Sequence, residues 1–231
     1  MRPAVALAAA LLLAIAFAPR AIAKDHGSLY YLPQDSVTLA ALLAPPPEED
    51  SRQEEYDARK VSEALIARTP ADMAQAASDA HRNIFVFTSI LGPNFVASKI
   101  PLTVAMFGHV NNDTEILIDI AKAHFLRKRP PGTKQTHFSY PSGHAAFAAC
   151  TAIILSEMVP EKRGELFARS AIFAESRIIA GVHYPSDVEA GWISGTVVAQ
   201  SLLMQPKFRA DFKVAKAEVR SALGLPVESS N

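Results

Sequence analysis

Cys150 is the one cysteine in the 231-residue chain, so no disulfide can close within it in any redox compartment. It lies in the apolar stretch 145–155 with no basic neighbour to lower its pKa, which suits a buried small hydrophobe better than a nucleophile. A surplus of one charge is missing too. The 23 Lys and Arg balance 23 Asp and Glu, which removes the electrostatic basis for gripping nucleic acid or an anionic membrane surface. Past residue 18 no apolar run approaches the roughly 20 residues that a bilayer span requires. Alternating β-branched runs are scarce, which argues against a sheet-built design, and internal repeats and Gly/Ser linkers are absent, which excludes solenoid and tethered multi-domain designs. Carboxylates do not cluster in the motifs described below, so the sequence offers no metal site and points to no cofactor.

The N-terminus carries the pattern of a secretory leader. Arg2 precedes an Ala/Leu/Ile run over residues 4–18, and Ala21-Ile22-Ala23 supplies small residues at the cleavage positions. The run is short for an anchor, so cleavage is the expectation. Cutting after Ala23 leaves 208 residues with 21 basic and 23 acidic side chains, enough for one domain with a full core. The expected product is periplasmic or secreted, with no membrane segment in its mature form.

Residues 24–55 read as an irregular arm, with Pro33, the run Pro45-Pro46-Pro47 and then Glu48-Glu49-Asp50. Helical periodicity begins at Tyr56 and defines a domain over 56–231. The pattern predicts helices over 56–68, 101–110, 113–128, 142–158, 161–180, 186–204 and 211–223. Thr69-Pro70-Ala71-Asp72 is a helix start, with a capping hydroxyl, proline in the first turn and an acid three after the cap. That helix is predicted to run to about Ser89, before the break at Gly92-Pro93. The fold class is all-α, a single compact helical bundle.

Three clusters carry the chemistry. Lys122 and Arg129 are seven residues apart, two helical turns, and are predicted to share a face near a helix C-terminus closed by Pro130. A solvated basic end, with Arg127 and Lys128, explains the same residues. Pro141-Ser142-Gly143-His144 opens an apolar helix: Ser142 fits an N-cap, Gly143 admits close approach of an anion to the backbone, and the helix start attracts negative charge. An ordinary capped helix would look the same. In the third cluster Ser176-Arg177 precede Gly181, a helix stop, with His183 beyond it and Asp187 four further on. An aspartate there can fix the tautomer of a nucleophilic imidazole, or simply make a structural contact. His124 and His137 are near enough in sequence to line a shared pocket.

Together, K-x6-R-P, P-S-G-H and S-R-x5-H-x3-D resemble the signature of the phosphatidic acid phosphatase type 2 and vanadium haloperoxidase superfamily. Within it the leader-bearing chain is similar to the bacterial class A non-specific acid phosphatases, from Tyr30-Tyr31-Leu32 to the 213–218 region. It departs from them in a short, cysteine-free stretch before Pro141 and in Pro131 after Arg129-Pro130. The resemblance implies that His183 is the nucleophile, oriented by Asp187, and that His144 is general acid and then base. It implies phosphate binding by Lys122, Arg129, Ser142, Gly143 and Arg177. The substrates implied are phosphomonoesters such as nucleotides, sugar phosphates and aryl phosphates, without a metal, in a homo-oligomer. A vanadium-dependent haloperoxidase is the alternative the motifs share.

Overall fold

The computed structural model describes residues 27–227. The leader expected at residues 1–23 lies outside them. Among the described residues there are nine α-helices and two short 3-10 turns, and no strand. The helices are α1 (Leu39–Leu42), α2 (Arg52–Ala67), α3 (Pro70–Ser78), α4 (Thr88–Leu91), α5 (Pro101–Phe125), α6 (Gly143–Met158), α7 (Arg163–Ile179), α8 (Pro185–Met204) and α9 (Pro206–Ala222).

The bundle is organised around α6. Its sequence is apolar on every side and rich in alanine, and such a helix has no solvent face to offer. Accordingly Ala145, Ala146, Ala148, Ala149 and Ala152 are all fully buried, between α7 on one flank and α8 on the other. Small side chains allow the closest approach on the α8 side. A Cβ built on Gly191 would lie 2.3 Å from the Ser142 carbonyl oxygen, and one on Gly195 2.2 Å from that of Ala146. The P-S-G-H segment and the helix bearing Asp187 are therefore held in backbone contact.

Long-range polar contacts fasten the remaining elements. The Glu218 carboxylate of α9 accepts from the Leu102 and Thr103 N–H groups and the Thr103 hydroxyl, closing the start of α5. The buried Asp113 carboxylate of α5 accepts from the N–H groups of Tyr30, Tyr31 and Leu32. Tyr31 donates from its hydroxyl to Asp211 of α9. The extended chain ahead of α2, which contains only the single turn of α1, is thereby fixed to the bundle.

Two helix assignments need correction. The stretch 101–128, expected as two helices divided at Asn111-Asn112, is one continuous helix ending at Phe125. Packing overrides the weak helix propensity of asparagine there, because the flanking Val110, Asp113 and Thr114 are buried. The helix expected over 70–89 stops at Ser78. Asp79, fully buried, turns away to pair with Arg169 of α7 at 2.5 Å, and the Asn83 side chain caps a separate 3-10 turn over Ile84–Phe87. The start signal itself is present as a reciprocal cap between Thr69 and Asp72.

Candidate active site

The three clusters meet at one end of the bundle, in a cavity of about 160 Å³. Lys122, Arg129, Gly143, His144 and His183 line it. Lys122 projects from the last turn of α5, on the same face as Glu115, Ile118 and Asp119, which also reach the cavity. Arg129 is not on that helix. The chain reverses at Leu126, which takes the left-handed conformation with φ 55°, and Arg129 returns toward Lys122 from the following loop. The spacing of seven residues brings the two cations together by a turn rather than by helical periodicity.

His183 is the most constrained group. Gly181, at φ 71°, ends α7 in a conformation that favours glycine and swings the chain toward the cavity. The imidazole Nδ1 lies 3.2 Å from Asp187 Oδ2, and Arg129 donates to Nε2 at 3.1 Å. An N–H donor facing Nε2 and a carboxylate facing Nδ1 leave one neutral tautomer: Nδ1 carries the proton and Nε2 the lone pair. Burial pushes this imidazole down to about 4, against the upward pull of Asp187. On Asp187 burial acts in the opposite direction, but His183, Arg127 and the Tyr184 N–H outweigh it and hold the carboxyl below its usual range.

His144 follows Gly143 on the first turn of α6, and its Nε2 donates to the Ala80 carbonyl at 3.0 Å. That bond leaves Nδ1 as the nitrogen able to exchange a proton. Burial pushes this ring down to about 3. Lys122 is lowered to about 8, first by burial and then by Arg129, so it remains a cation through the acidic and neutral range.

Ser142, Arg177 and Asp187 do not line the cavity; each lies behind it. Ser142 is fully buried, caps Ala145 and donates its N–H to the Asp187 carbonyl at 2.9 Å. Arg177, 3% exposed, donates to the Ala76 carbonyl and borders an adjoining hollow that also touches Gln135. Of the two additional histidines, His137 lines the cavity, whereas His124 is exposed and stacks edge-on against Phe125. Arg82, paired with Glu115 at 3.1 Å, lies outside the three clusters and is a further cation at the site. Nothing in its local sequence marks it. Arg127, which reads as part of a solvated basic end, is instead 9% exposed and bonded to two aspartates. Among the described residues no three His, Cys, Asp or Glu side chains gather in a way that would hold a metal ion.

The low imidazole pKa values make a stability prediction. A histidine whose folded pKa lies below its unfolded value near about 6.5 contributes full stability above that value. Between about 6.5 and 4 the unfolded chain binds the proton that buried His183 refuses, so stability falls with pH across that window. His183 alone makes this worth on the order of 3 kcal/mol. The thermal midpoint of the ligand-free protein is expected to drop steadily from pH 7 to pH 4, with a smaller drop in His183→Gln. A flat wild-type profile would contradict the burial assigned to this ring.

This site, in a helical bundle with these motifs, matches a known class. The PAP2 superfamily model matches residues 84–210, more than half of the chain, and the chain belongs to that superfamily. The non-specific acid phosphatase of Salmonella typhimurium is 28% identical over 85% of this chain and 86% of its own length. The acid phosphatase of Zymomonas mobilis is 29% identical over 86% of this chain and 81% of its own. These likenesses, over most of each chain, put the protein alongside the acid phosphatases of the superfamily. In fold it is similar to a transmembrane PAP2 type phosphatidylglycerolphosphate phosphatase from Bacillus subtilis, with a TM-score of 0.50, 21% identity, and coverage of 70% of this chain and 87% of that one. Among the described residues no helix of this protein is long and apolar enough to cross a membrane.

Proposed function

We propose that the chain is an acid phosphatase that hydrolyses a broad range of phosphate monoesters through a phosphohistidine on His183. The observation that carries this is the orientation of His183, with Nδ1–H held on Asp187 and the Nε2 lone pair at a cavity wall beside two cations. Phosphoryl transfer asks the protein for positioning and for charge around the equatorial oxygens, and Lys122, Arg129 and the Gly143 N–H supply both. Ser142 and Arg177 are assigned to the same cradle from the resemblance; their present partners would have to be exchanged for phosphate oxygens.

In the first step Nε2 bonds to phosphorus and the bond to the leaving oxygen breaks. His144 gives its proton to that oxygen, and the alcohol departs. In the second step water attacks phosphorus, His144 takes the water's proton, and the P–N bond breaks to release phosphate. His144 needs a proton that burial denies it in the free protein. The substrate brings one, since a phosphate monoester is still singly protonated below about pH 6, and a bound anion favours the charged imidazole.

Activity is therefore expected to rise as His183 loses its proton near pH 4 and to decline above about pH 6, with a further loss as Lys122 deprotonates near 8. In the same reading residues 1–23 are a cleaved leader, residues 56–231 are the catalytic domain, and the mature enzyme works in the periplasm or outside the cell as a homo-oligomer.

The test is hydrolysis of p-nitrophenyl phosphate from pH 4 to 9 with EDTA present, combined with an alkaline quench after incubation with a phosphorus-32-labelled aryl phosphate. Turnover that survives EDTA and an acid-labile, base-stable label on the protein are expected. A rate that climbs through pH 9, or a chain that never acquires label, would overturn the scheme.

A further inference from the structure

Behind the His183–Asp187 pair lies a second layer of charge, at positions that none of the three motifs specifies. The Arg127 guanidinium donates from one nitrogen to Asp187 Oδ1 at 2.6 Å and from the other to Asp57 Oδ2 at 2.8 Å. Its central carbon lies 4.3 Å from the centroid of the Tyr184 ring. Asp57 comes from α2, seventy residues earlier in the chain, and is 0% exposed. It also accepts from the Ser186 N–H at 3.3 Å and from the Ser186 hydroxyl. Burying an aspartate at no exposure is costly unless its charge is matched. Two fully buried aspartates share one cation here, and one of the two orients the nucleophile.

We propose that Arg127 and Asp57 are positioning residues, a buried charge pair behind Asp187 that fixes where its carboxylate sits against His183. The inference rests on His183 being the nucleophile. Each Asp187 oxygen has a distinct task. Oδ2 meets His183 Nδ1 and the Tyr184 N–H, while Oδ1 is taken by Arg127 at 2.6 Å, with the Ser139 hydroxyl a longer donor at 3.4 Å. Occupying Oδ1 prevents the carboxylate from rotating, so the imidazole is aimed by a carboxylate that is itself anchored. Asp57 holds the far side of Arg127 and takes up part of its charge, so that Asp187 keeps enough negative field to stabilise the imidazolium that forms during transfer.

Electrostatics gives the two residues opposite signatures. Removing a cation beside the His183–Asp187 pair favours proton uptake by the pair, and removing an anion disfavours it. The remaining charged or titratable groups near the pair are Lys122 and Arg129 toward His183, His144 across the cavity, and Tyr140 and Tyr184 beside Asp187. All of these are unchanged in either variant. The acid limb of the kcat/KM profile is thus expected to move up in pH in Arg127→Gln and down in Asp57→Asn. Loosened packing alone would shift both the same way or neither.

The experiment compares Arg127→Gln, Asp57→Asn, Asp187→Asn and Arg127→Gln/Asp187→Asn, with His183→Ala alongside and inorganic phosphate as the binding probe. Arg127→Gln is expected to lower kcat about 10- to 100-fold, the range for residues that orient a reactive group from behind. Its KM and its inhibition by phosphate should change less than about threefold, and in the Asp187→Asn background the same substitution should add less than about twofold.

Full additivity of the two substitutions, acid limbs that move together, or phosphate inhibition weakened tenfold or more in Arg127→Gln would each overturn the proposal. If Arg127→Gln does not fold, Asp57→Asn carries the test through its downward limb shift at unchanged phosphate inhibition. An active His183→Ala would refute the phosphohistidine reading itself. An inactive His183→Ala with wild-type kinetics in both charge variants would refute this inference alone.

Discussion

Replacing His183 with alanine is expected to lower kcat/KM for p-nitrophenyl phosphate by at least about 10³-fold, because the covalent route disappears with its nucleophile. Residual turnover should come from the cation cradle, since Lys122, Arg129 and Gly143 still line the cavity. Inhibition by inorganic phosphate is therefore expected to survive the substitution, and loss of Arg129's hydrogen bond to Nε2 should if anything make that guanidinium more available to an anion. The circular dichroism spectrum should be unchanged, as His183 lies in the loop between α7 and α8 and no helix is interrupted by its loss. A variant retaining a tenth or more of wild-type turnover would rule out His183 as the attacking group.

The second large effect is on stability and comes from a single methyl group. In a helix interior alanine is normally favoured over glycine by about 1 kcal/mol. At Gly195 the sign should reverse. Its added Cβ would sit 2.2 Å from the Ala146 carbonyl oxygen, and that oxygen belongs to the backbone of α6 and cannot rotate away. Relief requires α6 and α8 to separate, at a cost of about 3 kcal/mol or more in lost packing. Because Ser142 and His144 enter on α6 and Asp187 on α8, activity should fall along with the unfolding midpoint. Gly108 provides the control: it lies within α5 with nothing within 4 Å of an added Cβ, and Gly108→Ala is expected to stabilise by about 0.5–1 kcal/mol. Denaturant unfolding of both variants checks the pair. A Gly195→Ala protein as stable as wild type would mean that the two helices are not in the contact described.

Much of the site can be read from the sequence because its parts are short and local. Ser142 caps α6, Gly181 ends α7 with positive φ, and His183 and Asp187 meet across one turn, all of which follow from residues within a few positions of one another. Arg82, Asp57 and the role of Arg127 are not legible in this way. Their partners lie 33, 70 and 60 positions away in the cases of Arg82 with Glu115, Asp57 with Arg127 and Arg127 with Asp187. Local sequence cannot tell an arginine that meets water from one that meets a buried carboxylate. The helix boundaries failed for a related reason. Asn111 and Asn112 look like a break until the buried Asp113 beside them is seen holding three N–H groups of the N-terminal segment.

That Asp113 anchor bears on the order in which the molecule assembles. Its partners lie 81 to 83 positions before it, and Tyr31 also reaches Asp211 across 180 positions. Lys207, at the start of α9, lies over the Tyr30 ring at 3.2 Å, so the N-terminal segment is held by α5 and α9 together. Closing so large a loop carries a heavy entropic cost until other contacts have shortened it. Docking of residues 30–32 thus waits for α5 and α9 to associate. In kinetic terms this clasp is expected to form last and to open first, and amide exchange at Tyr31 and Leu32 should report that opening before any of the catalytic helices loosen.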